Sequence, residues 1–157
     1  MTAMIPKDPY PQASGIIADM STTAIDARGP RFAATLTAVV LAVVLITGSG
    51  WLLAAQALFF AIGAAAGVQN SPYGRLFRTL VRPRLGPPAE TEDPAPPRFA
   101  QAVGLVFAAV GLIGYFAGPQ WLGLAATGAA LAAAFLNAAF GYCLGCEMYL
   151  ILRRVAA

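Results

Sequence analysis

The sequence predicts an all-α integral membrane protein with four transmembrane helices, arranged as two tandem helical hairpins related by a pseudo-twofold axis along the membrane normal. Three observations predict it. Four apolar stretches follow one another in the chain, every basic residue falls on one side of them, and a short motif occurs at the start of each pair. The composition agrees: 59% of the 157 residues are hydrophobic and only 11% are charged, against roughly 25% charged in an ordinary soluble domain. So few charges cannot cover a water-facing surface, which leaves one compact membrane domain over 25–157.

The apolar stretches run over about 32–47, 51–68, 99–117 and 121–140. Their lengths are close to the ~20 residues that cross a hydrocarbon core of about 30 Å. The connections Gly48-Ser49-Gly50 and Gly118-Pro119-Gln120 are too short for anything but antiparallel neighbours, so the hairpins are expected at about 31–68 and 98–140. Before them, residues 1–24 hold Pro6, Pro9, Pro11 and Gly15 and no apolar run. They do not read as a signal peptide and are expected to form a disordered cytoplasmic tail.

Orientation follows from the ten basic residues. Lys7, Arg28 and Arg31 precede the first hairpin; Arg75, Arg78, Arg82, Arg84 and Arg98 lie between the hairpins; Arg153 and Arg154 follow the second. The two tight turns have none. Basic residues stay on the cytoplasmic side, so both termini are expected in the cytoplasm, with the chain in the cytoplasmic (inner) membrane of a bacterium. The net charge of +3 is thus spent on topology, and nucleic acid is not expected as a partner.

The hairpins repeat in sequence. Asp26-Ala27-Arg28-Gly29-Pro30-Arg31-Phe32-Ala33 matches Asp93-Pro94-Ala95-Pro96-Pro97-Arg98-Phe99-Ala100, and Trp51 and Trp121 follow the two turns at equivalent places. Each position also has a plain role: proline starts a helix, arginine anchors it at the headgroups, and tryptophan sits in the interfacial belt. Gly63 and Gly67, Gly114 and Gly118, and Gly141 and Gly145 have the GxxxG spacing. Such pairs allow close helix approach within the bundle or across a homodimer.

Between the hairpins, Pro72 to Arg82 reads as an amphipathic helix on the membrane surface. Leu76, Phe77, Leu80 and Val81 form its apolar face, and Arg75, Arg78 and Arg82 its contact with anionic lipid or another anion. An acidic, proline-rich linker over 86–97 follows. Gln56, Gln101, Thr127 and Asn137 are the polar residues inside the apolar stretches. They are expected to form interhelical hydrogen bonds, with Asn137 the best placed to do something else.

Chemistry has few carriers. With no histidine in the chain, there is no imidazole base or ligand. The two cysteines lie in Cys143-Leu144-Gly145-Cys146-Glu147, a spacing that two cysteines placed at random would show roughly one or two times in a hundred. Residues three apart share a helix face, and a bend between Gly141 and Gly145 would bring the sulfurs within disulfide reach. A helix restarting near Cys143 would favour a thiolate, and Glu147 could exchange protons with it. Three readings stand open: small apolar filling, a redox or sulfur relay, and soft-metal binding. No cofactor is called for, and no metal ligand is assigned.

The segments Ile25–Ala33, Ser71-Pro72-Tyr73-Gly74, Pro97-Arg98-Phe99-Ala100 and Phe135–Glu147, which ends in the CxGC element, resemble a bacterial membrane family described as domain of unknown function forty-three ninety-five. The resemblance covers about residues 22–154. Members are often encoded near thioredoxin-like or rhodanese-like proteins, so it implies a cytosolic protein of that kind as a partner beside the membrane lipids. The expectation is therefore thiol–disulfide or sulfur handling through Cys143, Cys146 and Glu147. The alternative is a non-catalytic membrane subunit or small-solute permease element in which the cysteines only pack.

Overall fold

The computed structural model describes residues 24–157; the expected disordered tail lies outside them except for Ala24. These residues form helices almost throughout. Helix α1 spans Arg28–Thr47 and α2 spans Gly50–Ala66. A short helix α3, Pro72–Leu76, continues without interruption into a π-helical turn, Phe77–Val81, and a 3-10 turn, Arg82–Arg84. Helices α4, Ala95–Phe116, α5, Gln120–Phe140, and α6, Leu144–Ala156, complete the chain. Three of them, α1, α4 and α5, are long and apolar enough to cross a membrane. Helix α2 is apolar but has 17 residues, a length of about 25 Å.

Local chemistry explains the boundaries. Helix α4 starts at Ala95, three residues before the expected start at Arg98, because Pro96 and Pro97 fall in its first turn, where a missing N–H costs nothing. Helix α2 starts where the Ser49 side chain accepts the Leu52 N–H at 3.3 Å. The expected surface helix over 72–82 is a compound of three helical geometries. Only Phe77 of its apolar face is buried in the protein, while Leu76 and Leu80 are exposed.

The linker is not free of structure. Thr91–Glu92 (β2) pairs antiparallel with Ile25–Asp26 (β1), with Ile25 opposite Glu92 and Asp26 opposite Thr91. This small sheet ties the segment before α1 to the segment before α4. The Asp26 carboxylate also binds the Arg28 guanidinium at 2.8 Å, and Arg28 reaches the Gly86 carbonyl at 3.1 Å.

Packing crosses the expected hairpins. Helix α1 packs chiefly on α5 and α2 chiefly on α4, with a lesser contact between α1 and α2, while α4 and α5 run closely together. Leu41, Val44, Leu53, Ala57, Phe60, Ala108 and Ala130 form the core. Gly114 lies so close to the backbone of Gly123 that a side chain has no room there. In each GxxxG pair, one glycine packs inside the bundle and the other sits at a helix end or turn: Gly63 meets Gln101, Gly114 meets Gly123, and Gly145 meets Ala100. Large apolar side chains such as Ile46, Leu58, Val106, Ile113 and Phe135 point outward, as they do on a lipid-facing surface.

The expected interhelical polar contacts are mixed. Gln56, 1% exposed, donates to Thr37 Oγ1 at 3.5 Å and accepts from Tyr73 Oη at 2.7 Å. Thr127 is as deeply buried, yet its hydroxyl has no partner among the described residues.

Candidate functional site

The cysteine segment forms because α5 stops. Gly141 adopts the left-handed conformation, φ 68°, which suits a residue without Cβ. Its N–H bonds the Asn137 carbonyl at 2.9 Å and the Tyr142 N–H bonds the Leu136 carbonyl at 3.3 Å, the pattern that satisfies the last carbonyls of a helix. Cys143 is then extended, φ −89° and ψ 101°, and α6 begins at Leu144. The pair therefore lies beyond the last long helix, in a bend and the first turn of a separate helix, rather than on the end of that helix itself.

Cys143 and Cys146 are joined in a disulfide, with Cα atoms 5.2 Å apart. Cys143 also caps α6: its Sγ accepts the Cys146 N–H at 3.2 Å, a role usually filled by serine, threonine, aspartate or asparagine. Ser71 fills the same role for α3, its Oγ accepting the Gly74 N–H at 3.2 Å. Glu147 donates its N–H to the Cys143 carbonyl at 3.0 Å and keeps its side chain exposed.

Helix α6 is held against α4. Gly145 touches Ala100, and Tyr149 packs on Phe99 with ring centroids 5.7 Å apart. Phe77 packs on Phe32 at the same centroid distance, 5.7 Å. The two motif arginines reach across as well. Arg31 donates to the Ala138 carbonyl near the end of α5, at 3.4 Å. Arg98 donates to the Ala64 and Ala65 carbonyls near the end of α2. Each supplies a cation where helix carbonyls end unpaired.

Cys143, Cys146 and Glu147 share a cleft of about 730 Å³. It runs between α1, α4 and α5 as far as the buried Thr37 and Phe60, and Gln101, Phe107 and Asn137 also line it. Asn137 thus faces the same space as the cysteines. Arg31, Tyr142, Glu90, Glu92 and Asp93 stand around it with Glu147. Burial pushes the Glu92 carboxyl above its ordinary value. This cleft, the sheet beside it and the reach of Arg31 are not among the features expected from the sequence. Their one signal there was the repeated Pro-Arg-Phe-Ala motif.

The predicted anion contacts separate. Arg78 and Arg82 line a second cleft of about 430 Å³, next to Asp26, Gln69 and Phe77. Arg75 is exposed and does not line it. Hydrogen bonding from Arg28 holds the Asp26 carboxyl below its ordinary value against the opposing effect of burial, and the charge of Arg82 adds to it. Among the described residues, no three cysteine, aspartate or glutamate side chains gather as a metal site.

A family model described as Domain of unknown function (DUF4395) matches residues 25–154. No curated protein and no solved structure matches the chain.

Proposed function

The chain belongs to the DUF4395 family, and from that premise we propose that it is a four-span protein of the bacterial cytoplasmic membrane whose Cys143–Cys146 pair exchanges thiols and disulfides, or carries sulfur, on the cytoplasmic side. The observation that carries the reading is the pair itself. Two cysteines in bonding contact, one of them capping the start of a helix, face a cleft large enough for a small molecule or an inserted side chain. Backbone N–H groups at a helix start favour a thiolate, the reactive form of cysteine. In a reducing compartment a disulfide persists only as part of a cycle.

The architecture is read as two repeats, α1–α2–α3 and α4–α5–α6, around a pseudo-twofold axis along the membrane normal, with α2 as the short fourth span. Matched pairs support it. Ile25 and Glu92 occupy the same place in the two motifs and also pair with each other in the sheet, as residues on a twofold axis must. Arg31 reaches the end of α5, and Arg98 the end of α2. Phe32 with Phe77 corresponds to Phe99 with Tyr149, and Ser71 to Cys143. The one-sided arginines support cytoplasmic termini, and Arg78 and Arg82, with Arg75 beside them, support a contact with anionic lipid.

Disulfide exchange needs a second thiol pair, and a cytosolic thioredoxin-like or rhodanese-like protein fits that need. A second reading rests on the depth of the cleft. With Thr37, Gln101 and Asn137 inside it, the protein would act as a small-solute permease element or a non-catalytic subunit, and the cysteines would only fix α6. Rapid thiol trapping in intact cells, against trapping after lysis, separates the two. An exchanging pair gives a mixed population or a trapped partner. A population entirely in one state before and after lysis contradicts exchange.

A further inference from the structure

Resting on that thiol-exchange reading, we propose that the two cysteines have fixed and different roles: Cys143 is the attacking sulfur and Cys146 the resolving one. The geometry distinguishes them. Cys143 Sγ lies at the head of the 13-residue helix α6 and accepts a backbone N–H from within its first turn. A thiolate at that place keeps the hydrogen bond in charge-assisted form and faces the positive end of the helix dipole. Cys146 is the donor of that N–H and sits inside the turn.

One nearby charge acts in the same direction. Arg31 of α1 lies beside Gly141, two residues before Cys143: a Cβ on Gly141 would be 3.6 Å from the Arg31 guanidinium carbon. Glu147 follows Cys146 directly in the chain. Glu90, Glu92 and Asp93, from the segment before α4, and Tyr142, from the bend, face the cleft that both cysteines line. The carboxylates raise the cost of either thiolate, so the helix start and Arg31 decide between the two. The neighbouring Gly145 is pressed onto Ala100, which fixes the turn carrying Cys146 against α4, while Cys143 remains on extended backbone before the helix.

The reaction then balances as follows. The Cys143 thiolate attacks one sulfur of a substrate disulfide; a Cys143–substrate bond forms, the substrate S–S bond breaks, and the leaving thiolate takes a proton from water. Cys146 gives up its proton to water and attacks Cys143 Sγ; the Cys143–Cys146 bond forms, the Cys143–substrate bond breaks, and the second substrate sulfur leaves as a thiolate that takes a proton from water. The substrate disulfide has gained two electrons, and the Cys143–Cys146 disulfide has been formed. A cytosolic dithiol protein returns the pair to the reduced form by the reverse exchange.

The test uses the full-length protein in phosphatidylcholine vesicles, with Cys146→Ser and Cys143→Ser variants whose circular dichroism matches the wild type. Cystamine, a small cationic disulfide, suits the acidic surroundings of the cleft. The Cys146→Ser protein is expected to form a lasting cystamine adduct at least tenfold faster at neutral pH than the Cys143→Ser protein. Its reactivity should also persist to lower pH than that of the Cys143→Ser protein. Wild type should release the adduct as its own disulfide closes. Equal rates, or a faster Cys143→Ser protein, overturn the assignment of roles and leave the exchange reading standing. If neither variant forms an adduct although N-ethylmaleimide modifies both, the exchange reading falls with it.

Discussion

Gly145 rests directly on Ala100: a Cβ built at Gly145 would lie 2.6 Å from the Ala100 Cβ and 2.7 Å from its Cα. The contact binds the first turn of α6 to α4 and so sets where the cysteines sit. Gly145→Ala should push α6 away and destabilise the protein by about 1–3 kcal/mol, the usual effect of overfilling a packed contact. It should also slow closure of the Cys143–Cys146 disulfide. Ala100→Gly in the same protein removes the opposing methyl but leaves the Ala100 Cα 2.7 Å away, so it should recover only a small part of both losses. Thermal denaturation in detergent and the rate of disulfide formation provide the two readouts. A Gly145→Ala protein as stable as the wild type and as quick to close its disulfide would show that this contact does not position the pair.

The buried Gln56 gives a second prediction. Tyr73 donates to its amide oxygen at 2.7 Å. Tyr73→Phe leaves that acceptor buried without its donor, a loss of about 1–3 kcal/mol. Replacing both residues, as Gln56→Met with Tyr73→Phe, should cost less than the sum of the two single changes. A fully additive double variant would mean that the hydrogen bond contributes nothing of its own.

The sheet that joins the two motifs should make stability depend on pH in two opposite ways. Asp26 has a folded value below its unfolded one, because Arg28 binds its charged form. Its contribution is present above the unfolded value and is lost as pH falls through the depressed folded value. Glu92 has a folded value above its unfolded one through burial. Its penalty appears as pH rises from the unfolded value through the folded one and then stays. Asp26→Asn should therefore flatten the acid side of a denaturation profile taken between about pH 3 and 7, and Glu92→Gln should raise stability at neutral pH. Identical profiles for all three proteins would remove both assignments.

The helices and their turns were legible because strong local signals set them. Pro30, Pro96 and Pro97 fit only a first helical turn, and the two turns at 48–50 and 118–120 hold glycine or proline. The cysteine bend was legible for the same reason, since Gly141 and Gly145 flank it. What escaped depends on residues far apart in sequence. Ile25 carries no local sign that it will pair with Glu92, and neither arginine of the repeated motif announces which helix end it will reach. The depth of the cleft depends on how far α1 stands from α4, which no stretch of either helix encodes by itself.

Topology can be read independently of chemistry. In a protein carrying Cys143→Ser and Cys146→Ser, a cysteine placed at Ser49 or Gln120 should react with a membrane-impermeant maleimide in intact cells. One placed at Pro88 should react only after lysis. Labelling of the Pro88 position from outside would reverse the assigned orientation.

The central claim is that the Cys143–Cys146 pair cycles between dithiol and disulfide. The most direct measurement equilibrates the purified full-length protein in vesicles against graded dithiothreitol buffers and counts free thiols by mass spectrometry after alkylation. A pair that exchanges with cytosolic thiols should show one reversible two-electron transition, with a midpoint between roughly −200 and −320 mV. A pair that stays fully reduced or fully oxidised across that range, or one that does not return when the buffer is reversed, would contradict the account.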